Sequence, residues 1–224
     1  MINILVGWLV NVSSVYNLKS ETLHLTIAFL RRFLSYMSIE RSRLQLLGTA
    51  CMYIASKYEE IHPPKIGEFE YINDGTCSKS DIVKMESIVL NILGFNLSLP
   101  TCATFLSHFT HNVEERTKLL AMYFSDLSLS AVGEMHKHKP SNVAESSMEL
   151  SRSTINSEAW PDIMIKISGI EAAEFKACFF LSLHQLHVDA SSNWGELKEI
   201  REKYSSRKCL YVGKITPLEI LSIT

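Results

Sequence analysis

The chain has 224 residues, with 22 basic and 24 acidic side chains and a hydrophobic fraction of 46%. That length can bury a substantial core in one large domain or two small ones, and the composition is too apolar for a disordered chain. A formal net charge of −2 argues against a duplex nucleic-acid binder, which needs a strongly basic face.

Cysteine usage points to a reducing compartment. Cys51, Cys77, Cys102, Cys178 and Cys209 are odd in number and none has CxxC spacing. They read as free thiols of a cytosolic or nuclear protein. Residues 1–18 carry no charged side chain, yet they lack the basic leader and cleavage site of a signal peptide. Asn3, Asn11, Ser13, Ser14 and Asn17 interrupt the apolar run, so a buried helix fits better than a membrane span.

Helical periodicity then runs along the whole chain, with no competing strand pattern. Ile4, Leu5, Trp8, Leu9, Val12, Val15 and Tyr16 line one face of a first helix. A second starts at Ser20 as N-cap and carries Leu23, Ile27, Leu30 and Leu34 on one stripe. A third, predicted over residues 41–58, is apolar nearly all round and rich in small residues. It should be a central helix with close neighbours. Pro63 and Pro64 end that segment and open a short helix over 65–72, and Asn73, Asp74 and Gly75 form a turn. Ser78 and Asp81 match a capping box for a fifth helix that buries Ile82, Met85, Val89, Ile92 and Leu93.

Residues 94–100 read as a linker, and a second helical set follows, over 101–111, 115–132, 140–155, 161–167, 171–188 and 193–204. An irregular tail ends the chain. The two halves have similar helix order at an offset of about 100 residues, which suggests duplication. NVAESSMELSRSTIN, the counterpart of the central helix, is far more polar than its partner.

No catalytic signature is present: no GxGxxG, phosphate loop, HExxH or GxSxG. The pairs His108/His111 and His184/His187 have helical i, i+3 spacing, and His136 and His138 lie in a charged loop. None has a third ligand nearby in sequence, so no metal and no cofactor is expected. The surface remains. Lys57 and Glu86 punctuate apolar helices. They are either solvated ends or a pair that hydrogen-bonds the backbone of a docked helix, a task suited to charge-assisted bonds. In the second case Ile54, Tyr58, Ile61, Leu90, Phe95 and Leu97 would form an apolar groove floor.

Three stretches resemble the cyclins, above all the A type and then the B type. They are ETLHLTIAFLRRFLSYMSIERSRLQLLGTACMYIASKYEEIHPP (residues 21–64), EFEYINDGTCSKSDIVKMESIVLNILGFNLSLPT (68–101), and the sparser pair WPDIM (160–164) and IREKY (200–204). The match is dense over residues 1–101 and thin beyond.

The resemblance implies an all-α fold of two tandem five-helix cyclin boxes, at residues 1–97 and a divergent 98–204, with a tail at 205–224. It implies a protein without catalytic activity of its own, found in nucleus and cytoplasm. Such a protein binds and activates a cyclin-dependent kinase by pressing on the kinase C helix that carries the PSTAIRE sequence, which shifts the kinase toward its active conformer. The family's helix-holding lysine and glutamate fall on Lys57 and Glu86. Its apolar contacts fall on Ile54, Tyr58, Ile61, Leu90, Phe95 and Leu97, and its flanking polar contacts on Glu59, Glu60 and Lys79. Its docking patch for RxL-type substrates and inhibitors falls on Met1, Ile4, Leu5, Trp8 and Leu44, rimmed by Arg41 and Gln45.

The family's first-helix motif reads like MRAILVDWLVEV, whereas this chain has MINILVGWLVNV. Ile2 replaces an arginine, and Gly7 and Asn11 replace the acids that face the RxL arginine, so weakened RxL recognition is expected. The sequence starts at this motif, which suggests either a truncated cyclin or a short, divergent one. Two other readings compete with a kinase activator. A degenerate cyclin would bind partners without activating a kinase. A cyclin-fold transcription factor would need a basic stripe, and from Ser191 onward there are only six basic against four acidic residues.

Overall fold

Apolar side chains at three- and four-residue spacing carry the chain into helix after helix in the computed structural model. It describes residues 2–111, 113–131, 139–155, 177–192 and 195–219, the side chains of 177–179 and 196 excepted. Among the described residues there are ten α-helices and no strand. The chain divides into two compact units, Met1–Thr101 and Cys102–Thr224.

The first unit holds α1 (Ile2–Val15), α2 (Ser20–Tyr36), α3 (Leu44–Glu59), α4 (Ile66–Ile72) and α5 (Lys79–Ile92). α3 is the central helix and packs against the other four. Its small residues permit this. A Cβ on Gly48 would lie 3.0 Å from Leu5 of α1, so glycine there lets the two helices approach closely. Thr49 bonds the Asn73 side chain (3.1 Å), and Asn73 Nδ2 donates to Phe69 O at 2.6 Å. This satisfies the polar groups where α3 crosses α4.

Several helix starts differ from expectation. Lys19, not Ser20, stands at the N-cap of α2. Residues Arg41–Arg43 form a 3-10 turn, and α3 begins only at Leu44. The capping box at α5 forms as expected: Asp81 N donates to Ser78 Oγ and Ser78 N to Asp81 Oδ2. Ile92 is half-buried rather than buried.

The second unit holds α6 (Cys102–Phe109), α7 (Glu115–Leu129), α8 (Pro140–Thr154), α9 (Ala177–Ser191) and α10 (Lys198–Tyr204). The polar helix α8 is its middle, packed against α6, α7 and α9. Val143, Ala144 and Met148 join Leu106, Phe109 and Ala121 in one apolar cluster. Its serines bury cheaply because their hydroxyls bond their own helix: Ser147 Oγ donates to Val143 O at 2.7 Å and Ser151 Oγ to Met148 O at 2.8 Å. WPDIM and the helix expected over 161–167 lie outside the described residues, as do His136, His138 and the side chain of Cys178.

The IREKY stretch turns inward. Ile200 is buried, and Lys203 and Tyr204 hold the fully buried Asp126 at 2.7 and 2.9 Å. The segment after Tyr204 carries no helical pattern in sequence, yet it folds back as two 3-10 turns, Arg207–Cys209 and Val212–Lys214. Val212 is buried, and Gly213 passes so close to α10 that a Cβ would lie 2.5 Å from Arg201 O. His184 and His187 donate ring N–H groups to Leu218 O (2.9 Å) and Ile215 O (3.1 Å). Burial pulls the His187 imidazole down to about 4, so it stays neutral. The helical histidine pair therefore latches this segment.

One cost remains in α8. A carboxylate oxygen of Glu145 and one of Glu149 are buried without a hydrogen-bond partner. Burial pushes the Glu145 carboxyl up to about 7 from an ordinary 4.5. The folded state then holds a proton that the unfolded chain releases, so this group's contribution to stability falls as pH rises from about 4.5 to about 7. Glu145→Gln should flatten that fall. It should leave stability at pH 5 nearly unchanged and raise it at pH 8 by about 1–3 kcal/mol, read from urea denaturation at the two pH values.

Candidate partner-docking site

α3 and α5 pack side by side, which brings the last turn of one next to the middle of the other. Lys57 Nζ donates to Glu86 Oε1 across that contact. The lysine side chain is 40% exposed and the glutamate 12%. The ammonium also lies 4.1 Å from the Tyr53 ring centroid. Both charges keep unused capacity toward solvent, since lysine has three N–H donors and glutamate a second oxygen. An arriving backbone could accept from one and donate to the other.

Around the pair stand exposed apolar side chains. Tyr58 is 48% exposed, Ile61 84% and Phe95 66%; Leu90 and Leu97 are half-buried. Single exposed apolar residues are ordinary, and several together mark an interaction surface. Ile54 differs from the expected groove floor. It is 3% exposed and belongs to the core beneath.

Phe95 and Leu90 are joined by the way α5 ends. Gly94 has φ +60°, its N–H bonds Asn91 O, and the Phe95 N–H bonds Leu90 O at 3.0 Å. This is a Schellman ending, in which the residue after the glycine sits against the last turn. Phe95 itself has φ +56°, a left-handed conformation that costs a non-glycine residue about 1–2 kcal/mol.

Of the polar residues expected at the flank, Glu60 and Lys79 bond within the chain through their side chains and Glu59 through its backbone carbonyl. Glu60 Oε1 accepts from Lys19 N (2.8 Å) and Thr22 Oγ1 (2.5 Å), capping α2, while Lys19 Nζ donates to Glu59 O at 2.6 Å. Lys79 gives its backbone N–H to Glu70 Oε1 (3.2 Å) and its ammonium to Glu70 Oε2 (3.6 Å). Glu60 thus fixes the exit of α3 against the start of α2. The sequence reading missed Val83, 46% exposed. Its spacing to Glu86 and Leu90, i+3 and i+7, was the available signal.

The Cyclin, N-terminal domain family matches residues 1–98, and the Cyclin, C-terminal domain family matches residues 100–218. The chain belongs to the cyclin family. It is 41% identical to the G2/mitotic-specific cyclin-A of Patella vulgata, over 100% of this chain and 52% of that protein. It is 40% identical to cyclin-A2 of Homo sapiens, over 98% of this chain and 51% of that protein. This cyclin thus spans about half the length of the curated relatives it matches. A viral cyclin from herpesvirus saimiri has the same fold: TM-score 0.67 at 16% identity, over 93% of this chain and 86% of that one.

The second expected patch of this cyclin lies along α1 and the start of α3. Ile4 is 59% exposed, Trp8 is half-buried and Leu5 is 7% exposed against Gly48. Leu44 and Gln45, one turn before Gly48, are half-buried, and Arg41 is exposed. Leu5 contributes mostly to packing, while Ile4 and Trp8 offer surface. Met1 lies outside the described residues. Gly7 is buried and Asn11 exposed, and α1 carries no charge at either end. No cluster of three metal-ligating residues occurs among the described residues, and no helix among them is long and apolar enough to cross a membrane.

Lys57 and Glu60, both at the exit of α3, should separate in a stability measurement. Lys57→Ala removes an ion pair that stays open to water on its lysine side and should cost at most about 1 kcal/mol. Glu60→Ala removes a helix cap and two hydrogen bonds and should cost about 1–2 kcal/mol. Urea midpoints of the two variants give the comparison.

Proposed function

We propose that this chain is a regulatory subunit that binds and activates a cyclin-dependent kinase and helps recruit its substrates, with no catalysis of its own. The observation that carries the reading is the solvent-facing Lys57–Glu86 pair set among exposed Tyr58, Ile61 and Phe95. An α-helix offers a partner both apolar side chains and, at its ends, unpaired backbone groups. This surface has a counterpart for each. The helix in question is the PSTAIRE-bearing C helix of the kinase, and binding it favours the active kinase conformer. Glu59, Glu60 and Lys79 act on the flank, with Glu60 doing so through the fold of the α3 exit. The A-type likeness supports action in nucleus and cytoplasm as part of this reading.

The patch of Ile4, Leu5, Trp8, Arg41, Leu44 and Gln45 is proposed to dock RxL-type substrates. Exposed Ile4 and half-buried Trp8 offer apolar surface for the motif's leucine, while Gly7 and Asn11 supply no carboxylate for the arginine. That loss favours a second reading, a cyclin that binds a kinase yet recruits or activates poorly.

Co-purification with a PSTAIRE-type cyclin-dependent kinase and a histone phosphorylation assay separate the readings. An activator gives both, a degenerate cyclin gives binding without phosphate transfer, and failure to co-purify removes the proposal. Lys57→Ala and Glu86→Ala should each weaken kinase binding by about 1–3 kcal/mol. Calorimetry that finds both variants at parent affinity rejects the assignment. In a peptide titration, replacing the RxL arginine by alanine should change affinity less here than in an A-type cyclin with both acids present; an equal loss rejects the weakened patch.

A further inference from the structure

Phe95 poses a local question. It is 66% exposed and left-handed, so neither burial nor its own backbone preference holds it in place. The turn has local bonds: Phe95 N to Leu90 O at 3.0 Å and Asn96 N to Leu93 O at 3.2 Å. Both fix the turn to the end of α5, and neither fixes it to the rest of the unit. A tertiary hydrogen bond to the turn comes from α2. Arg32 Nη1 donates to Asn96 O at 3.2 Å, from a position 64 residues earlier in the chain.

The platform behind that bond is stiff. Leu30 and Phe33, on either side of Arg32, are buried at 0% and 2% exposure. Arg32 is half-buried, so its stem packs along the helix while the guanidinium reaches out. A carbonyl held this way sets the direction in which the preceding residue, Phe95, leaves the turn.

We infer that Arg32 is a positioning residue for partner docking: its guanidinium, bonded to Asn96 O, holds the left-handed turn that presents Phe95. This rests on the reading of Phe95 as a contact of the kinase helix. Arg32 itself touches no partner in this scheme. Strain retained at an exposed residue is a recurrent mark of pre-organised binding sites. Such pre-organisation raises affinity by ordering the turn before the partner arrives.

The test is a double-mutant cycle on the full chain, with dissociation constants for a PSTAIRE-type cyclin-dependent kinase measured by calorimetry. Arg32→Met keeps the stem and removes the donor, and it should weaken binding about five- to tenfold. Arg32→Lys, which keeps a donor, should recover most of that loss. Arg32→Met combined with Phe95→Ala should bind no more weakly than Phe95→Ala alone, whereas its loss should multiply with that of Lys57→Ala. A merely structural role would multiply with both. Hydrogen exchange on the free chain supplies the second readout: the Phe95 amide should exchange faster in Arg32→Met while core amides of α2 keep their protection. Parent affinity in Arg32→Met, or losses that multiply with Phe95→Ala, overturns the inference. So does unchanged exchange at Phe95, which decides the matter even if Lys57→Ala and Phe95→Ala both leave kinase affinity intact and the groove reading itself fails.

Discussion

A helix with neighbours on every side can offer a partner only its end. α3 is such a helix. Gly48 admits Leu5, Ala50 and Ala55 are fully buried, and four helices pack around it. The exit of α3 is therefore where the first unit's best-fixed element meets solvent. Glu60 ties that exit to α2 through Lys19 and Thr22, and the Lys57–Glu86 pair ties it to α5. Rigidity in the core becomes rigidity at the surface, and a surface ordered in advance loses less freedom when it binds.

The two central helices solve the same packing problem with different chemistry. α3 uses glycine, alanine and apolar side chains. α8 uses serines whose hydroxyls close on their own helix carbonyls, at Ser147 and Ser151. A short polar side chain that satisfies itself packs much like an alanine. Composition records the hydroxyl and not its partner, which is why NVAESSMELSRSTIN reads as far more polar than its counterpart. Glu145 and Glu149 are the exceptions, each with a buried carboxyl oxygen that closes on nothing.

Helix order was legible because a buried stripe repeats every three to four residues. The capping box at Ser78 was legible because it is local. Ser20 misled because a good cap residue one position late looks the same in sequence. Lys57 and Glu86 came forward as a docking candidate from likeness to a family; from residues alone each read equally as a solvated helix end. Ile54 looked like part of the groove because α3 is apolar on all sides, so periodicity could not say which face is covered. The bonds that Glu60 and Arg32 make within the chain could not be read from the sequence. Their partners, Thr22 and Asn96, lie 38 and 64 residues away, and no local pattern encodes a bond across such a separation.

Pre-pairing of Lys57 with Glu86 bears on where affinity for a docked helix arises. In the free chain the two charges already pair and water takes their remaining bonding positions, so a partner's backbone exchanges bonds to water for bonds to itself. The net gain from such an exchange is small. Removing one member is different, because it leaves the other charge in the interface without its mate. A large effect of a Lys57 or Glu86 substitution would thus measure the penalty of an orphan and not the worth of the pair. On the proposed reading, favourable free energy comes mainly from Tyr58, Ile61 and Phe95, each worth roughly 1.5–3 kcal/mol if fully buried. The charges then set the register of the helix on a surface that apolar contact alone would leave free to slide.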